Sequence, residues 1–441
     1  MFRSTKMNSN LYIQNLFTNK RIVDSLGSVS DDLYQNIYSL VKKHTRDVRR
    51  LFKDLLFWIT QTQSVSLLQI AHASSKKKLW WKAKNIVSNF SKFLSNTKKI
   101  SEVSDSYLHK VTKWMWEEGT VNVVVDGWDM MKPHSVSVET TTVRDGSSWE
   151  LGTWYVMDTL VWFTNAWVTI PLVWRVFNRQ SLTDVQSYMW LMQKLDEASS
   201  ASVNYRYIFD RWYDDKKLFK LVQDMWQTFL VALKSNRQVQ IDWERTAIKE
   251  IGKRMKFNKG TITSQTRKKK ISWKVWYAQV HIRWLDGVFY LVVCKNRKWN
   301  QLCLLTNEPI KTHEQAKQQV MLYGQRWLIE ENYKYMKQVY NLEKVNIRTL
   351  KRINNIYNLL LMSIGMSMRC MRKLWKNVQN IISLNRSNHF VGYQVKNLLY
   401  ERIEVLVSYQ NQFGVLQNFR GRNPSSKLLY QQFSLPLSDE G

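Results

Sequence analysis

The sequence contains few cysteines and no pattern that would use them. In 441 residues there are three, at positions 294, 303 and 370. Three cysteines are too few for a disulfide framework, and none of them forms the C-x-x-C pair that many zinc sites use. A reducing compartment is therefore expected.

Long apolar segments are also missing. The longest uncharged run, residues 159–174, is shorter than the roughly 18–20 apolar residues that a membrane-spanning helix needs, and it contains Asn165 and Pro171. We expect buried strands there. The N-terminus has no apolar stretch followed by a small-residue cleavage site, so we expect no secretory signal. These absences predict a cytoplasmic protein.

Acidic residues are scarce relative to basic ones. The chain has 66 Lys and Arg against 35 Asp and Glu, a formal net charge of +31. Few partners other than a polyanion suit that charge, which predicts an association with the nucleoid. A composition of 44% hydrophobic and 13% aromatic residues supplies packed cores, and the length predicts two to four domains at roughly 100–200 residues each. Glycine, at 14 residues, is outnumbered by 21 tryptophans.

The first quarter of the chain has a helical pattern. From about residue 30 to 115, apolar residues recur at three- and four-residue spacing with charges between them. Within this region, residues 42–99 hold 14 Lys and Arg but only two acidic residues. That density favours DNA binding over a merely solvated helical face.

Strand patterns follow the helical region. A β-branched run at 121–126 predicts a buried strand, and strand-like stretches around 135–143 and 169–177 fit an antiparallel meander beside it. Residues 184–198 have a helical pattern, and residues 205–210 form another strand pattern that ends in an acid. Strands that alternate with helices after a meander indicate an α/β layer architecture.

Residues 238–307 are again rich in strand formers and in basic residues, which predicts a β-rich insertion, and the chain beyond residue 312 is helical. The predicted organisation is α/β, with the following parts: a helical DNA-binding domain over 1–115, an α/β core over 116–237 and 312–376, the insertion over 238–311, and a C-terminal region over 377–441.

One segment carries a distinctive polar pattern. If residues 323–338 form a helix, Tyr323, Arg326, Glu330 and Lys337 lie within an arc of about 60° on one face, opposite an apolar face. The neighbouring Glu331 points about 100° away. A surface salt-bridge ladder is the alternative interpretation, because Arg326 and Glu330 are an ordinary i,i+4 pair.

Two aspartates end predicted strands. Asp126 and Asp210 each follow a buried strand pattern, where a side chain is held rigidly at the edge of the sheet. Together with Glu330 they could hold two hard divalent cations. Each aspartate taken separately is also an ordinary turn residue.

These residues carry a resemblance to a known family. The chain resembles the DDE transposases of bacterial insertion sequences, in the group with the Y-(2)-R-(3)-E-(6)-K signature, and it matches that signature with Tyr323, Arg326, Glu330 and Lys337. The flanking segments agree as well: VVVDGWDMMKPHS around Asp126, YIFDRWYDD around Asp210, LLTNEPI before the signature and LKRINNIYNLL after it. The resemblance runs from about residue 55 to 370.

The resemblance implies a ribonuclease H-like catalytic domain in which Asp126, Asp210 and Glu330 bind two Mg²⁺ ions, for which Mn²⁺ can substitute. It implies that Tyr323, Arg326 and Lys337 bind DNA at the transposon end. The expected activity is transposition, the cut-and-paste movement of a mobile element, with double-stranded DNA ends and target as partners. By the same analogy, the protein acts as a homodimer in the synaptic complex.

The sequence departs from this family at three tryptophans. Trp212 and Trp226 occupy positions where glycine is common, and Trp128 occupies one where a small polar residue is usual. The ring of Trp212 would distort the turn that aims Asp210 if the backbone there requires a positive φ. Two alternatives therefore stay open: a catalytically dead, transposase-derived DNA-binding protein, and a ribonuclease H-like nuclease that cuts but does not join.

Overall fold

The computed structural model describes most of the chain up to residue 385. The described residues are 20–74, 80–116, 119–131, 141–144, 151–164, 169–179, 182–199, 203–241, 244–254, 258–263, 270–283, 285–296, 301–342, 347, 349–385 and 406–407. Most of the predicted C-terminal region therefore lies outside them. No helix in this described part is both long enough and apolar enough to cross a membrane.

Helices occupy the N-terminal region, as the spacing of apolar residues predicts. They are α1 (Lys20–Val41), α2 (Arg46–Thr62), α3 (Leu67–Ser74), α4 (Trp80–Phe93) and α5 (Thr97–Met115). In α2 the fully buried residues Phe52, Leu55, Leu56 and Ile59 follow the three- and four-residue spacing of a single helical face.

Strands and helices alternate in the central region. The strands are β1 (Thr120–Met131), β2 (Thr141–Arg144), β3 (Leu151–Phe163), β4 (Thr169–Phe177), β5 (Asn204–Phe209) and β6 (Thr228–Ala232). Between them lie α6 (Asp184–Ala198), a 3₁₀ turn at Arg211–Tyr213 and α7 (Lys216–Asp224). A capping box at Thr183 and Gln186 starts α6 at the predicted residue.

These strands form the centre of a large mixed sheet. β1 pairs antiparallel with β3 and parallel with β5, β6 continues the parallel part, and β4 pairs with β3 on the other side. The order β4-β3-β1-β5-β6, with three antiparallel strands followed by two parallel ones, is consistent with a ribonuclease H-like domain. β3 was predicted only in part, although this strand is the direct partner of β1.

Residues 159–163 and 169–174 lie in strands and are buried, as expected, and residues 165–168 of the same run lie outside the described residues. The run includes the ends of β3 and β4, in which Leu160, Trp162 and Ile170 are fully buried. The run is apolar because both faces of these strands are covered by other elements of the protein.

The β-rich segment adds to the same sheet. Its elements are β7 (Gln238–Ile241), β8 (Glu244–Ala247), α8 (Ile248–Arg254), β9 (Asn258–Thr263), β10 (Lys270–Val280), β11 (Phe289–Asn296) and β12 (Gln301–Thr306). β12 pairs antiparallel with β6, so β9–β12 extend the central sheet, whereas β7 and β8 form a small separate hairpin. The domain boundaries drawn from the sequence remain predictions.

Three helices complete the described chain: α9 (His313–Gly324), α10 (Trp327–Val339) and α11 (Leu350–Asn385). α11 joins the N-terminal helices to the sheet. On one side, Ser363 of α11 donates a 2.6 Å hydrogen bond to the Leu56 carbonyl of α2. On the other, the Asn354 side chain accepts a 3.0 Å hydrogen bond from the backbone N–H of Val176 in β4. α11 thus contacts both the basic helices and the sheet, and α5 reaches the sheet directly, because the Tyr107 hydroxyl donates a 2.6 Å hydrogen bond to the Pro171 carbonyl of β4.

Candidate active site

The two aspartates lie side by side where the parallel pairing of β1 and β5 stops. The last pair in register is Val125 with Phe209, and Asp126 and Asp210 are the next residues on each strand. Asp210 ends its strand and caps the 3₁₀ turn, accepting a 2.7 Å hydrogen bond from the Arg211 N–H. The prediction that Asp126 also ends a strand was wrong, because β1 continues to Met131 through its pairing with β3.

The sequence pattern predicted one continuous helix over the signature segment, residues 323–338. In the structure this helix is interrupted. Helix α9 ends at Gly324 and α10 begins at Trp327, with a turn at residues 325 and 326. Both turn residues keep right-handed helical dihedral angles, so the direction of the chain changes little. Tyr323, Arg326 and Glu330 therefore still face the same edge of the sheet.

The Arg326 guanidinium lies among the three predicted carboxylates. Its Nη1 is 3.4 Å from Asp126 Oδ2 and 3.8 Å from Asp210 Oδ2, and its Nη2 is 2.8 Å from Glu330 Oε1. Arg326 itself is buried. In the sequence, Asp126 and Asp210 are 84 positions apart, and Asp210 and Glu330 are 120 positions apart. The structure brings all three together around one cation.

Burial controls the electrostatics of this cluster. Desolvation raises the pKa of Asp126 to about 7, the nearby Arg326 charge opposes that rise, and the charge of Asp210 adds to it. The Arg326 pKa is raised, because the attraction of the surrounding carboxylates outweighs its own burial. The site therefore holds the arginine charged and favours positive charge at its centre.

The cluster is open on one side. Side-chain exposure rises from 12% at Asp126 to 25% at Asp210 and 32% at Glu330. Next to Asp210, Trp212 is 84% exposed. Asp210 and Glu330 are therefore the two carboxylates that are more accessible to a substrate.

The remaining signature residues have different surroundings. The buried Tyr323 donates a 3.1 Å hydrogen bond from its hydroxyl to Asp210 Oδ1, so it contacts a carboxylate directly. Lys337 lies further along α10, with its ammonium 4.5 Å from the centre of the Trp128 ring. Trp128 in turn stacks on Tyr333 at a centroid distance of 5.1 Å.

Two tyrosines that the sequence interpretation missed contact Asp126. Tyr213 donates a 3.4 Å hydrogen bond to Asp126 Oδ1, and Tyr333 donates a 3.1 Å bond to the Asp126 carbonyl. The only local signal was their position, three residues after Asp210 and three residues after Glu330. Such spacing is too common in proteins to single out a residue.

The two tryptophans at positions where the family commonly has glycine, Trp212 and Trp226, differ in their backbone conformation. Trp212 belongs to the 3₁₀ turn and has no left-handed backbone, so the expected distortion beside Asp210 does not arise. Trp226, however, has a φ of +56°, in the region that favours glycine, and its ring is 92% exposed. The energetic cost of this left-handed backbone therefore falls at the turn before β6. That turn lies at the opposite end of the parallel pair β5–β6 from the carboxylates.

The donor chemistry of the cluster suits a hard divalent cation, because carboxylate oxygens are preferred ligands of Mg²⁺. Among the described residues, no three His, Cys, Asp or Glu side chains stand close enough together to form a metal site as they are. The three carboxylates each face Arg326 instead. A guanidinium already occupies their shared centre.

Comparison with known proteins gives a family match that covers part of this site. Residues 184–366 match the family model described as a transposase DDE domain, which supports a DDE transposase. The matched segment includes Asp210, Glu330 and the whole signature, and it begins after Asp126. A search of curated proteins finds no match to the chain.

Proposed function

We propose that this protein is the transposase of an insertion sequence in the group with the Y-(2)-R-(3)-E-(6)-K signature. It binds the inverted-repeat ends of its element and catalyses divalent-metal-dependent cleavage and strand transfer. The observation that carries this proposal is the convergence of Asp126, Asp210 and Glu330 on Arg326 at one edge of the mixed sheet. The match to a transposase DDE domain supports the same reaction class.

The carboxylates of Asp126, Asp210 and Glu330 are the groups that would hold the cations. Two bound Mg²⁺ ions would activate a water or a 3′-hydroxyl as the nucleophile and stabilise the leaving oxygen in an in-line displacement at phosphorus. Asp126 supplies the most buried ligand of the three, and its Oδ1 accepts a 3.0 Å hydrogen bond from the Gly127 N–H. The more exposed Asp210 and Glu330 lie on the side where a phosphodiester enters.

Arg326 has two roles in this proposal. Without metal, it neutralises the carboxylates that would otherwise repel one another. When cations take over that role, its guanidinium turns toward a phosphate of the transposon end, for which its planar fork is suited. Its Nε is buried and has no hydrogen-bond partner within the described part of the chain, so this donor reaches a phosphate only after the side chain turns.

The basic N-terminal helices would contact DNA away from the site. Where α1 ends and α2 begins, Lys42, Lys43, Arg46 and Arg50 are exposed to solvent. Exposed cations of this kind bind the phosphate backbone and make affinity depend on salt. They favour end binding by the helical region, with α11 linking that region to the catalytic edge.

A cleavage assay tests the proposal. Full-length protein is incubated with a labelled duplex that carries the DNA ends flanking its own gene, with Mg²⁺ or with EDTA. Asp210→Ala removes a proposed ligand. Asp224→Ala is the matched control, because Asp224 is exposed and, within the described residues, pairs with Lys220 at 2.8 Å. We expect Mg²⁺-dependent nicking at the end that Asp210→Ala abolishes and Asp224→Ala retains.

The other outcomes distinguish the alternatives. End binding without nicking would identify a catalytically dead DNA-binding protein. Nicking without any joined product would identify a nuclease that does not transfer strands. The proposed homodimer is tested separately, by measuring whether the complex that holds two ends has the mass of two protein copies.

A further inference from the structure

The face of β1 that carries Asp126 also carries Trp128. The two residues are two positions apart in a continuous strand, where side chains alternate between the faces. Helix α10 packs on this face through Tyr333, whose hydroxyl donates a 3.1 Å hydrogen bond to the Asp126 carbonyl. Lys337 follows Tyr333 by four residues and therefore lies on the same side of the helix. The strand that bears a proposed metal ligand thus faces the helix that bears the signature lysine.

Trp128 contacts both of these residues of α10. Its ring stacks on that of Tyr333, with a centroid distance of 5.1 Å and an angle of 7° between the planes. The Lys337 ammonium lies 4.5 Å from the centre of the Trp128 ring, which is within cation–π distance. The indole Nε1 is buried and has no hydrogen-bond partner among the described residues. Contacts of the ring, and not a hydrogen bond, therefore orient this side chain.

A cation–π contact restricts a lysine without removing its charge. Lysine has a flexible four-carbon stem, and ordering that stem when DNA binds costs conformational entropy. A neutral ring attracts the ammonium but, unlike a carboxylate, does not cancel its charge. Lys337 is only half-buried, so DNA can reach it where it lies over the ring. An ammonium held in this way has less freedom to lose on binding a phosphate.

The position of Lys337 indicates which phosphate it serves. It lies seven residues beyond Glu330, which is about 10 Å along the axis of α10. Glu330 belongs to the carboxylate cluster where the reaction is proposed to occur. A phosphate beside the Lys337 ammonium is therefore a neighbour of the reacting phosphate and not the reacting group itself.

We propose that Trp128 is a positioning residue, which holds the Lys337 ammonium in place for a phosphate of the transposon end. Trp128 acts through Lys337 and does not touch the reacting atoms. The inference rests on the proposed function, because it assumes that the protein binds the ends of its element. It does not depend on metal binding or on cleavage.

The test is a double-mutant cycle on end-DNA affinity. Fluorescence anisotropy of a labelled end duplex measures binding by the full-length protein in EDTA, so that no cleavage occurs. Trp128→Leu keeps an apolar side chain but removes the ring, and we expect about threefold weaker binding. Lys337→Ala should weaken binding further, and the slope of log affinity against log salt concentration should become shallower by about one. In the Lys337→Ala background, Trp128→Leu should have no additional effect.

A purely structural role for Trp128 predicts a different result, because lost packing would weaken binding equally with and without Lys337. Trp128→Phe keeps a ring that attracts cations less strongly than tryptophan, and should bind about twofold more weakly than the wild type. Trp190→Leu is the matched control. Trp190 of α6 also lies near two cations, Arg175 at 4.9 Å and Lys194 at 5.3 Å, but outside the candidate site. Its replacement should leave the end affinity unchanged.

Thermal unfolding of each variant identifies any that does not fold. If Trp128→Leu is one of these, Trp128→Phe becomes the deciding variant, and its twofold loss must likewise vanish in the Lys337→Ala background. Wild-type affinity in the deciding variant, or a loss that persists in the Lys337→Ala background, would overturn the inference.

Two control results would overturn it as well: an unchanged salt slope in Lys337→Ala, or a loss in Trp190→Leu equal to that in Trp128→Leu. A wild-type protein that binds its end duplex no more tightly than unrelated DNA would instead contradict the proposed function itself.

Discussion

The raised pKa of Asp126 predicts how metal binding depends on pH. Burial in β1 raises this pKa to about 7, and the Arg326 charge offsets only part of the rise. A divalent cation binds the carboxylate form, so protons compete with the metal below that pKa. With one proton displaced, the apparent affinity should fall about tenfold from pH 8 to pH 6, and about a hundredfold from pH 8 to pH 5.

The assay is calorimetric titration of the full-length protein with Mn²⁺ at several pH values between 5 and 8. Repeating it in buffers of different ionisation enthalpy measures the number of protons released per ion. The release should be close to one at pH 6 and should vanish by pH 8. An acid with an ordinary pKa would be ionised throughout this range and would release none.

Asp126→Asn is the matched control, because the amide keeps the shape of the side chain but cannot titrate. Its residual metal binding should lose the step between pH 8 and pH 6. An affinity that stays constant over this range in the wild type, or a step of the same size in the variant, would refute the assignment of the titrating group.

Three further predictions concern other side chains. Arg326→Ala removes the competing cation, so Mn²⁺ should bind more tightly at pH 8. The same variant should bind end DNA more weakly, and the slope of log affinity against log salt concentration should become shallower by about one. An unchanged slope would show that Arg326 makes no phosphate contact. Trp226→Gly relieves a left-handed backbone and should raise the free energy of unfolding by about 1 kcal/mol in urea denaturation. The control Asn341→Gly, at φ +52°, should gain less, since asparagine tolerates this region; an equal gain would argue against strain at Trp226. Trp128→Ser removes the ring beneath the Lys337 ammonium and should lower the free energy of unfolding by about 1–2 kcal/mol. An unchanged urea midpoint would contradict a stabilising role for the stack of Trp128 on Tyr333.

Local patterns predicted much of the secondary structure. The helix over residues 184–198 and the strand over residues 169–177 have the predicted bounds, since each has a clear start signal and one dominant periodicity. Strand β3 was predicted only toward its end, because the alternation of its first half is irregular. The break at residues 325 and 326 was missed for a different reason: the turn keeps helical dihedral angles and leaves the apolar spacing unchanged.

The candidate site shows where sequence reasoning stops. The signature and the two aspartates indicated which residues belong together, but not that Arg326 would lie between them. Interactions within four residues, such as that of Arg326 with Glu330, can be deduced from helix geometry. The contact of Arg326 with Asp126 joins residues 200 positions apart and depends on the strand order.

The sequence by itself determined the chemical types at this site, the basic charge of the N-terminal helices and the mixed α/β class, because composition and periodicity are local properties of the chain. Only the tertiary structure decided which oxygen of Asp126 faces the centre and which faces Tyr213. It also decided that Asp158, which lies in β3 opposite Gly127 of β1, is shielded from water. Those features arise where β1, β3 and α6 pack together, since burial and hydrogen-bond direction exist only once distant segments are in contact.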